Sequence, residues 1–367
     1  MDNERRFETA LGRLASWFGR QQRVLPWRAN PDPYRVWISE IMLQQTQVAT
    51  VIPYFERFMK RFPTLQSLAL APEDEVLLHW AGLGYYSRAR NIHRAANILL
   101  HAGSFPNTRE GWLEIPGVGP YTAGAILSIS MDLPEAILDA NVERVLSRVR
   151  RVGAAGVETA TATGVHYKRR LWRLSRIFVE KAQAMGIAPS VTNQALMELG
   201  ATVCSPKSPR CELCPLSGLC RARASGEEEA FPPRKKPKEW LEVREKLHCY
   251  IDPRGCVLLR RREAGEWRAG LWDLPASEIQ REAGVKLRGL TYIGEIESRH
   301  VVTRHRITRT TRVWRLGLRG CAFRAAENGT AEMRWVAPAE SPVPMGSALK
   351  KTLSRIRETF PEAWPAS

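Results

Sequence analysis

LEIPGVGPYTAGAILSISMDLPEAILDAN, from Leu113 to Asn141, joins a glycine turn to an apolar helical segment and then to a carboxylate. Gly117 and Gly119 flank Val118 behind Pro116. Residues without a Cβ let successive backbone N–H groups close on an anion where a helix begins. The second apolar segment leads to Asp139, placed to open the next helix. A Gly-x-Gly turn alone is a weak signal and describes an ordinary corner between helices equally well. The rest of the chain decides between the two.

The 367 residues suffice for two domains with separate cores. Lys and Arg number 55 against 38 Asp and Glu, a formal charge of +17. Such a surface attracts polyanions, and nucleic acid is the expected partner. No apolar run reaches the roughly 18 residues that a bilayer span needs. The amino-terminal stretch spaces Phe7, Leu11, Leu14 and Phe18 along one helix face and lacks the apolar core of a signal peptide. A soluble protein that is not secreted is expected.

From Arg5 to about Leu199 apolar residues recur three and four apart between Pro and Gly breaks such as Pro53, Pro63, Gly82, Gly84 and Pro106, and no strand pattern stands out. The expected fold is therefore multidomain. An all-α catalytic domain spans 1–225 with a cysteine loop at 204–220, a charged, proline-rich linker follows at 226–240, and 241–367 form an α+β domain. In that second domain LHCYIDPRGCVLLR (247–260) reads as two strands around a Pro-Arg-Gly turn, Val301–Leu318 as strand, and GSALKKTLSRIRETF from Gly346 as a terminal helix.

Cys204, Cys211, Cys214 and Cys220 are separated by six, two and five residues. Four thiolates on one compact loop suit zinc or an iron-sulfur cluster. Zinc ribbons use two separated CxxC pairs, so this spacing favours a [4Fe-4S] cluster. Cys249, Cys256 and Cys321 read as apolar fillers, and Lys207, Arg210 and Arg221 place positive charge beside the loop. A cluster that only staples the fold is the simpler alternative.

Taken together, IPGVGPYT, the aspartate after it and the C-x6-C-x2-C-x5-C loop resemble the endonuclease III branch of the helix-hairpin-helix DNA glycosylases. Within that branch the chain is most similar to the adenine glycosylases of the MutY family. LPWR, SEIMLQQTQVATVIPYFERF, GLGYYSRARN and NQALMELGATVC extend the resemblance over nearly all of the first 225 residues. It implies base excision repair: hydrolytic removal of adenine opposite 8-oxoguanine or guanine in double-stranded DNA, by a monomer acting at the bacterial nucleoid in the cytoplasm.

The resemblance makes Glu40 in WISEIMLQQT the general acid that protonates N7 of the base, a task suited to a carboxyl whose pKa burial has raised. A lone helical Glu would otherwise be expected in solvent. Asp139 would stabilise the oxocarbenium-like sugar cation, in the two-carboxylate logic of glycosidases. It also suits the N-cap of Val142–Arg150, and Asn141 would share either role. The family usually has Gly after this aspartate, where this chain has Ala140. Tyr121 stands where strand-cutting relatives carry a Schiff-base lysine, so a monofunctional enzyme is expected. Base flipping leaves a gap; Gln45 and Tyr85 match the family's wedge residues, and Trp27, Arg28 and Gln194 the adenine pocket. Arg88, Arg90 and Arg94 suggest phosphate contacts or solvent-facing charge.

The segment LLRRREAGEWRAGLWDLP (258–275) resembles the MutT-like, Nudix-fold domain with which the family recognises 8-oxoguanine. ASEIQREAGV (276–285) supplies too few spaced carboxylates for Nudix metal chemistry, so binding without hydrolysis is expected. Where relatives place Phe-Ser-His, this chain reads Val302, Thr303 and Arg304, with His305 one residue on. The arginines at 299, 304, 306, 309 and 312 suggest a shift from base reading toward phosphate grip. A glycosylase for another mismatched base and a catalytically silent iron-sulfur DNA-binding protein are the competing readings. The latter has no need of Glu40 and Asp139 together.

Overall fold

The computed structural model describes residues 2–153, 165–233, 239–263, 265–276, 289–317, 332–337 and 343–365. The chain divides into two compact units that do not follow chain order: Met1–Ala69 with Arg94–Lys236, and Leu70–His93 with Pro237–Ser367.

The first unit is helical, with no strand among its described residues, as the periodicity predicted. Its helices are α1 (Asp2–Gln21), α2 (Pro33–Leu43), α3 (Val48–Arg61) and α4 (Leu65–Ala69). Next, α5 (Glu73–Trp80) belongs to the second unit, and α6 (Ser87–Ala102) begins there and ends in the first. Then come α7 (Arg109–Leu113), α8 (Pro120–Met131), α9 (Ala140–Arg150), α10 (Val165–Ala184), α11 (Pro189–Thr202) and the short α12 (Arg221–Ala224).

The centre of this unit is α2. Asp32 caps it by accepting from Arg35 N at 3.0 Å, and Pro33 pre-sets its first turn. Tyr34 and every residue from Val36 to Met42 are buried, so the helix is enclosed on all sides rather than amphipathic. A second core joins Phe7, Leu11, Leu14 and Phe18 of α1 to Val142, Val145, Leu146 and Val149 of α9 and to Leu196 and Leu199 of α11.

The opening stretch folds as a hairpin of two helices. Gly117 takes φ +83, a backbone conformation that a side chain would strain, while Ile115 and Val118 are buried beneath the turn. Gly119 is the N-cap of α8 in extended conformation, and a Cβ there would meet no atom of the protein within 4 Å. After α8 an extended segment is fastened by side chains: buried Asn193 donates to Glu135 O at 2.7 Å, buried Ser175 to Ile137 O at 2.6 Å, and half-buried Arg109 to Ala136 O at 3.0 Å. It ends at Asp139.

The second unit holds a mixed sheet of β1 (Leu241–Ile251), β2 (Val257–Arg261), β3 (Trp272–Asp273), β4 (Leu290–Val302), β5 (His305–Leu316) and β6 (Met333–Val336). The order is β3-β2-β1-β5-β4, with β6 also on β2; β1 and β5 run parallel and the other pairs antiparallel. Helix α13 (Ser347–Thr359) packs Leu349, Leu353 and Ile356 onto a core that includes Leu247, Val313 and the fully buried Cys249. The predicted turn between β1 and β2 is held by Asp252, which accepts from Arg254 N and Cys256 N at 2.9 and 2.8 Å. Cys321 and most of ASEIQREAGV lie outside the described residues.

Two expectations for arginines are overturned. Arg309 is fully buried and cannot grip phosphate: it donates to Glu245 at 2.8 Å and to Asp273 at 3.1 Å, with Arg262 and Arg268 on the same two carboxylates. Three of its neighbours, Arg299, Arg306 and Arg312, pair with Glu297, Glu242 and Glu295. Arg88 is buried too, serving neither phosphate nor solvent. Its guanidinium lies 5.2 Å from the Trp80 ring and donates to Leu83 O and Gly84 O. Arg90 is committed to Ala269 O.

Replacing Asp273 with Asn would leave Arg309 buried with one carboxylate fewer. Breaking a buried pair costs about 3–5 kcal/mol, so D273N should lose roughly that much in urea unfolding followed by the sheet's circular dichroism. An unchanged midpoint would show that the knot is not a stability determinant.

Candidate active site

A cavity of about 520 Å³ opens in the first unit, lined by Trp27, Arg28, Glu40, Gln45, Tyr121, Asp139, Asn141, Gln194 and Glu198. Eight of these nine are candidates from the sequence; Glu198 is not. Helices α2, α8, α9 and α11 and the loops on either side of α2 supply them.

Glu40 projects from the enclosed helix α2 and is only 4% exposed. Its one hydrogen bond to a side chain comes from the Tyr121 hydroxyl, which donates to Glu40 Oε2 at 2.6 Å. Burial pushes the Glu40 carboxyl up to about 7; the Tyr121 bond opposes this, and the nearby Asp139 charge adds to it. A proton at this site is thus retained near neutral pH. Tyr121, at the second position of α8, is held protonated by burial and by the Glu40 and Asp139 charges.

Asp139 meets a different environment. It is the N-cap of α9: Oδ1 accepts from Val142 N at 2.7 Å and Oδ2 from Asn141 Nδ2 at 2.8 Å. Burial raises its pKa and these bonds oppose the rise. The cap and the pocket position, posed as alternatives from sequence, coexist in one side chain. Ala140, exposed at the first position of α9, fits without any left-handed backbone.

Asn141 is fixed in turn by Arg144, which donates to Asn141 Oδ1 at 2.9 Å, Gly200 O at 2.7 Å and Cys204 O at 2.7 Å. Gly200 permits this approach, since a Cβ there would lie 2.6 Å from Asn141 Cβ. One turn on, buried Arg148 donates to Cys204 Sγ at 3.3 Å and to the carbonyls of Ser205, Pro206 and Phe231.

Sequence reasoning missed the group that organises the far wall. Glu198 has a fully buried side chain and accepts from Arg23 at 2.6 Å and Arg28 at 2.8 Å, which holds its carboxyl below the usual range despite burial. Arg28 also donates to Gln194 Oε1 at 3.1 Å. The available signal was spacing, since Gln194 and Glu198 are four apart and share one face of α11.

The four cysteines of the loop line one small cavity with Arg148, Arg223 and Glu228. None is in a disulfide. Among the described residues no three His, Cys, Asp or Glu side chains close on a single metal ion. Zinc would need its sulfurs about 2.3 Å from one centre, whereas a four-iron cube takes one thiolate at each corner around a larger group. The donor set fits a [4Fe-4S] cluster held by Cys204, Cys211, Cys214 and Cys220.

Gln45 follows α2 at φ +56 and is exposed; Tyr85, in the other unit, has φ +48 and is 37% exposed. Neither residue type relaxes easily there.

A family model for the HhH-GPD superfamily of base excision DNA repair proteins matches residues 38–185, and one for the iron-sulfur binding domain of endonuclease III matches 204–220. An adenine DNA glycosylase of Homo sapiens is 36% identical, over 84% of this chain and 67% of that protein. Its counterpart in Buchnera aphidicola subsp. Baizongia pistaciae is 36% identical over 70% of this chain and 68% of that protein. That of Mus musculus is 44% identical over 67% of this chain, and the match spans 46% of the mouse protein. The chain thus spans about half to two thirds of these relatives. A solved thermostable thymine-DNA glycosylase superposes with a TM-score of 0.51 at 24% identity, covering 61% of this chain and all of that one, which establishes a shared helical fold.

The Glu40 shift has a consequence for stability. Between the ordinary value of 4.5 and about 7 the folded chain keeps a proton that the unfolded chain has released, so stability falls as pH rises through that window. Glu40→Gln removes this penalty. Relative to wild type it should gain about 1–3 kcal/mol in urea unfolding between pH 5 and pH 8; parallel stability curves would contradict the burial argument.

Proposed function

The chain belongs to the adenine DNA glycosylase family, and we propose that it hydrolyses the N-glycosidic bond of adenine lying opposite 8-oxoguanine or guanine in duplex DNA, leaving the strand uncut. The observation that carries this reading is the pairing, in one cavity, of a carboxyl that retains its proton with a carboxylate held by two donors.

Two carboxyl groups whose surroundings differ divide the work of acid and charge stabiliser. Glu40, lacking backbone donors and enclosed by α2, gives its proton to N7 of the flipped adenine. The C1′–N9 electron pair then leaves with the base. Asp139, kept as an acceptor by Val142 N and Asn141, offsets the positive charge that develops on the sugar. Water adds to C1′, and its proton passes to the Glu40 carboxylate, which restores the acid. Tyr121 orients Glu40 through its hydroxyl, and a phenol cannot form the Schiff base that strand cutting by a lysine requires.

Recognition of the base falls to the opposite wall. Arg28 and Gln194 hold each other at 3.1 Å, and Glu198 anchors Arg28 from beneath. A guanidinium and an amide so fixed offer hydrogen bonds to the polar edge of the base, with N7 itself left to Glu40. Trp27, buried against Phe55 at 5.5 Å, is wall rather than platform. The positive φ of exposed Gln45 and Tyr85 supports a wedge role for both, because strain of this kind persists where function maintains it. The turn at Gly117 and Gly119 suits a phosphate, and Arg144 and Arg148 tie the cysteine loop that would hold the cluster to the helix that Asp139 caps. The sheet unit, with Val302 to His305 at a hairpin tip, is the proposed reader of the opposite base, with a Nudix-like fold used for binding.

Incubation with duplexes carrying A opposite 8-oxoguanine, A opposite G and T opposite G, followed by alkali, tests the reading. Alkali-dependent breaks are expected at adenine in the first two only, and their absence would sink it. Glu40→Gln should bind the same duplexes and leave adenine in place. In wild type the single-turnover rate should decline above about pH 7, approaching tenfold per pH unit, as Glu40 loses its proton; a flat profile to pH 9 would remove Glu40 as the acid. Affinity should also drop steeply with added salt, because phosphate contacts release counterions.

A further inference from the structure

The β4–β5 hairpin turns in two residues, Thr303 and Arg304, between the paired Val302 and His305. Thr303 has φ +55, an outlying conformation for a β-branched residue, and its hydroxyl donates to Val302 O at 2.7 Å and lies 3.4 Å from His305 Nδ1. The aromatic residue expected at this tip is absent from the hairpin itself. Another loop supplies one. Trp267, between β2 and β3, sits with its ring 5.2 Å from that of His305 at 49°, and 39% of it is exposed.

Trp267 is held in place. The Arg268 guanidinium lies 4.7 Å from its ring centroid, and Arg268 donates to Glu245 at 2.9 Å; Arg309 of β5 binds the same Glu245. The buried ion knot thus ties the Trp267 loop to the hairpin while 39% of Trp267 stays exposed beyond the Arg268 and His305 contacts. Arg268 has φ +67, so strained backbone stands on both sides of the exposed ring. An ordered indole with a neighbouring imidazole, a hydroxyl and the cation of Arg304 has the chemistry of a nucleobase platform: a π-face for stacking, polar groups for a base edge and positive charge for phosphate.

We infer that Trp267, with Thr303 and His305, is a specificity-determining contact of this chain, stacking on the base opposite the target adenine in place of the aromatic missing from the hairpin. The inference rests on the function proposed above.

The test measures affinity of the full chain, at one fixed salt concentration, for duplexes carrying uncleavable 2′-fluoro-deoxyadenosine opposite 8-oxoguanine, guanine or thymine. Trp267→Ala should weaken binding to the 8-oxoguanine duplex about 5- to 100-fold, the range for loss of one stacked base. The thymine duplex should stay within about twofold, and Trp267→Phe should retain most of the preference. His305→Ala should give a partial loss in the same direction. Circular dichroism and unfolding midpoints equal to wild type show that the hairpin persists. If a folded Trp267→Ala keeps the wild-type preference, or weakens all three duplexes alike, the inference is overturned. Wild type that releases no adenine from any natural duplex overturns the function instead, so the two failures are distinguishable.

Discussion

Helix α9 begins at a carboxylate, and both the cavity wall and the cysteine loop are positioned from it. Asp139 satisfies Val142 N and so starts the helix. The same helix then carries Arg144 and Arg148, whose guanidinium groups reach the residues around Cys204. Removing the cap would therefore act in two places, on the first turn beside the cavity and on the register of the arginines that hold the cysteine loop. One hydrogen-bonded side chain serves as cap and as wall because both tasks call for an oxygen acceptor.

Against this fixed carboxylate, Glu40 is set by exclusion. The helix that carries it is buried on every side, and among the described residues a single side chain, the Tyr121 phenol, donates to its oxygens. Burial raises the pKa of both carboxyl groups, but Glu40 has the Tyr121 hydroxyl to oppose the rise while Asp139 has backbone and side-chain donors that favour its anion. The backbone and side chains around the two groups thus set them apart. The cost of keeping Glu40 dry falls on the stability of the fold, the usual relation between an active site and its scaffold.

The second unit follows a different logic. Its central feature is a buried set of three arginines on two carboxylates, Glu245 and Asp273. Mutual pairing makes burial of such charge tolerable, and the geometry joins strands β1, β3 and β5 to the loop that carries Trp267. The arginines that in sequence suggested a phosphate-gripping stripe mostly neutralise acids of the same sheet. A count of basic residues along a strand does not reveal which of them face carboxylates across it.

Local chemistry made much of this protein legible in its sequence. The helical period and the strand signals around Asp252–Gly255 follow from propensities that act over a few residues, and the described elements agree with them; the assignment of Leu70–His93 to the second unit does not follow from them. Gly117 could be read as a turn residue because only positive φ demands glycine there. Cys204 to Cys220 could be read as a cluster loop because all four ligands lie within one short segment. Glu40, Tyr121 and Asp139 could be nominated by motif, but their chemistry could not: a pKa depends on what surrounds the group, and Tyr121 meets Glu40 across 81 positions of chain. Glu198, Arg144, Arg309 and Trp267 were missed or misread for the same reason. Each is an ordinary residue in its own segment, and its role comes from partners that only folding brings near. The sequence by itself determined the types of element and nominated the cysteine ligands and the two carboxyl groups, because those signals are local; the tertiary structure decided which carboxyl was met by a phenol alone and which by backbone and amide donors, which arginines were neutralised and which indole kept an exposed surface.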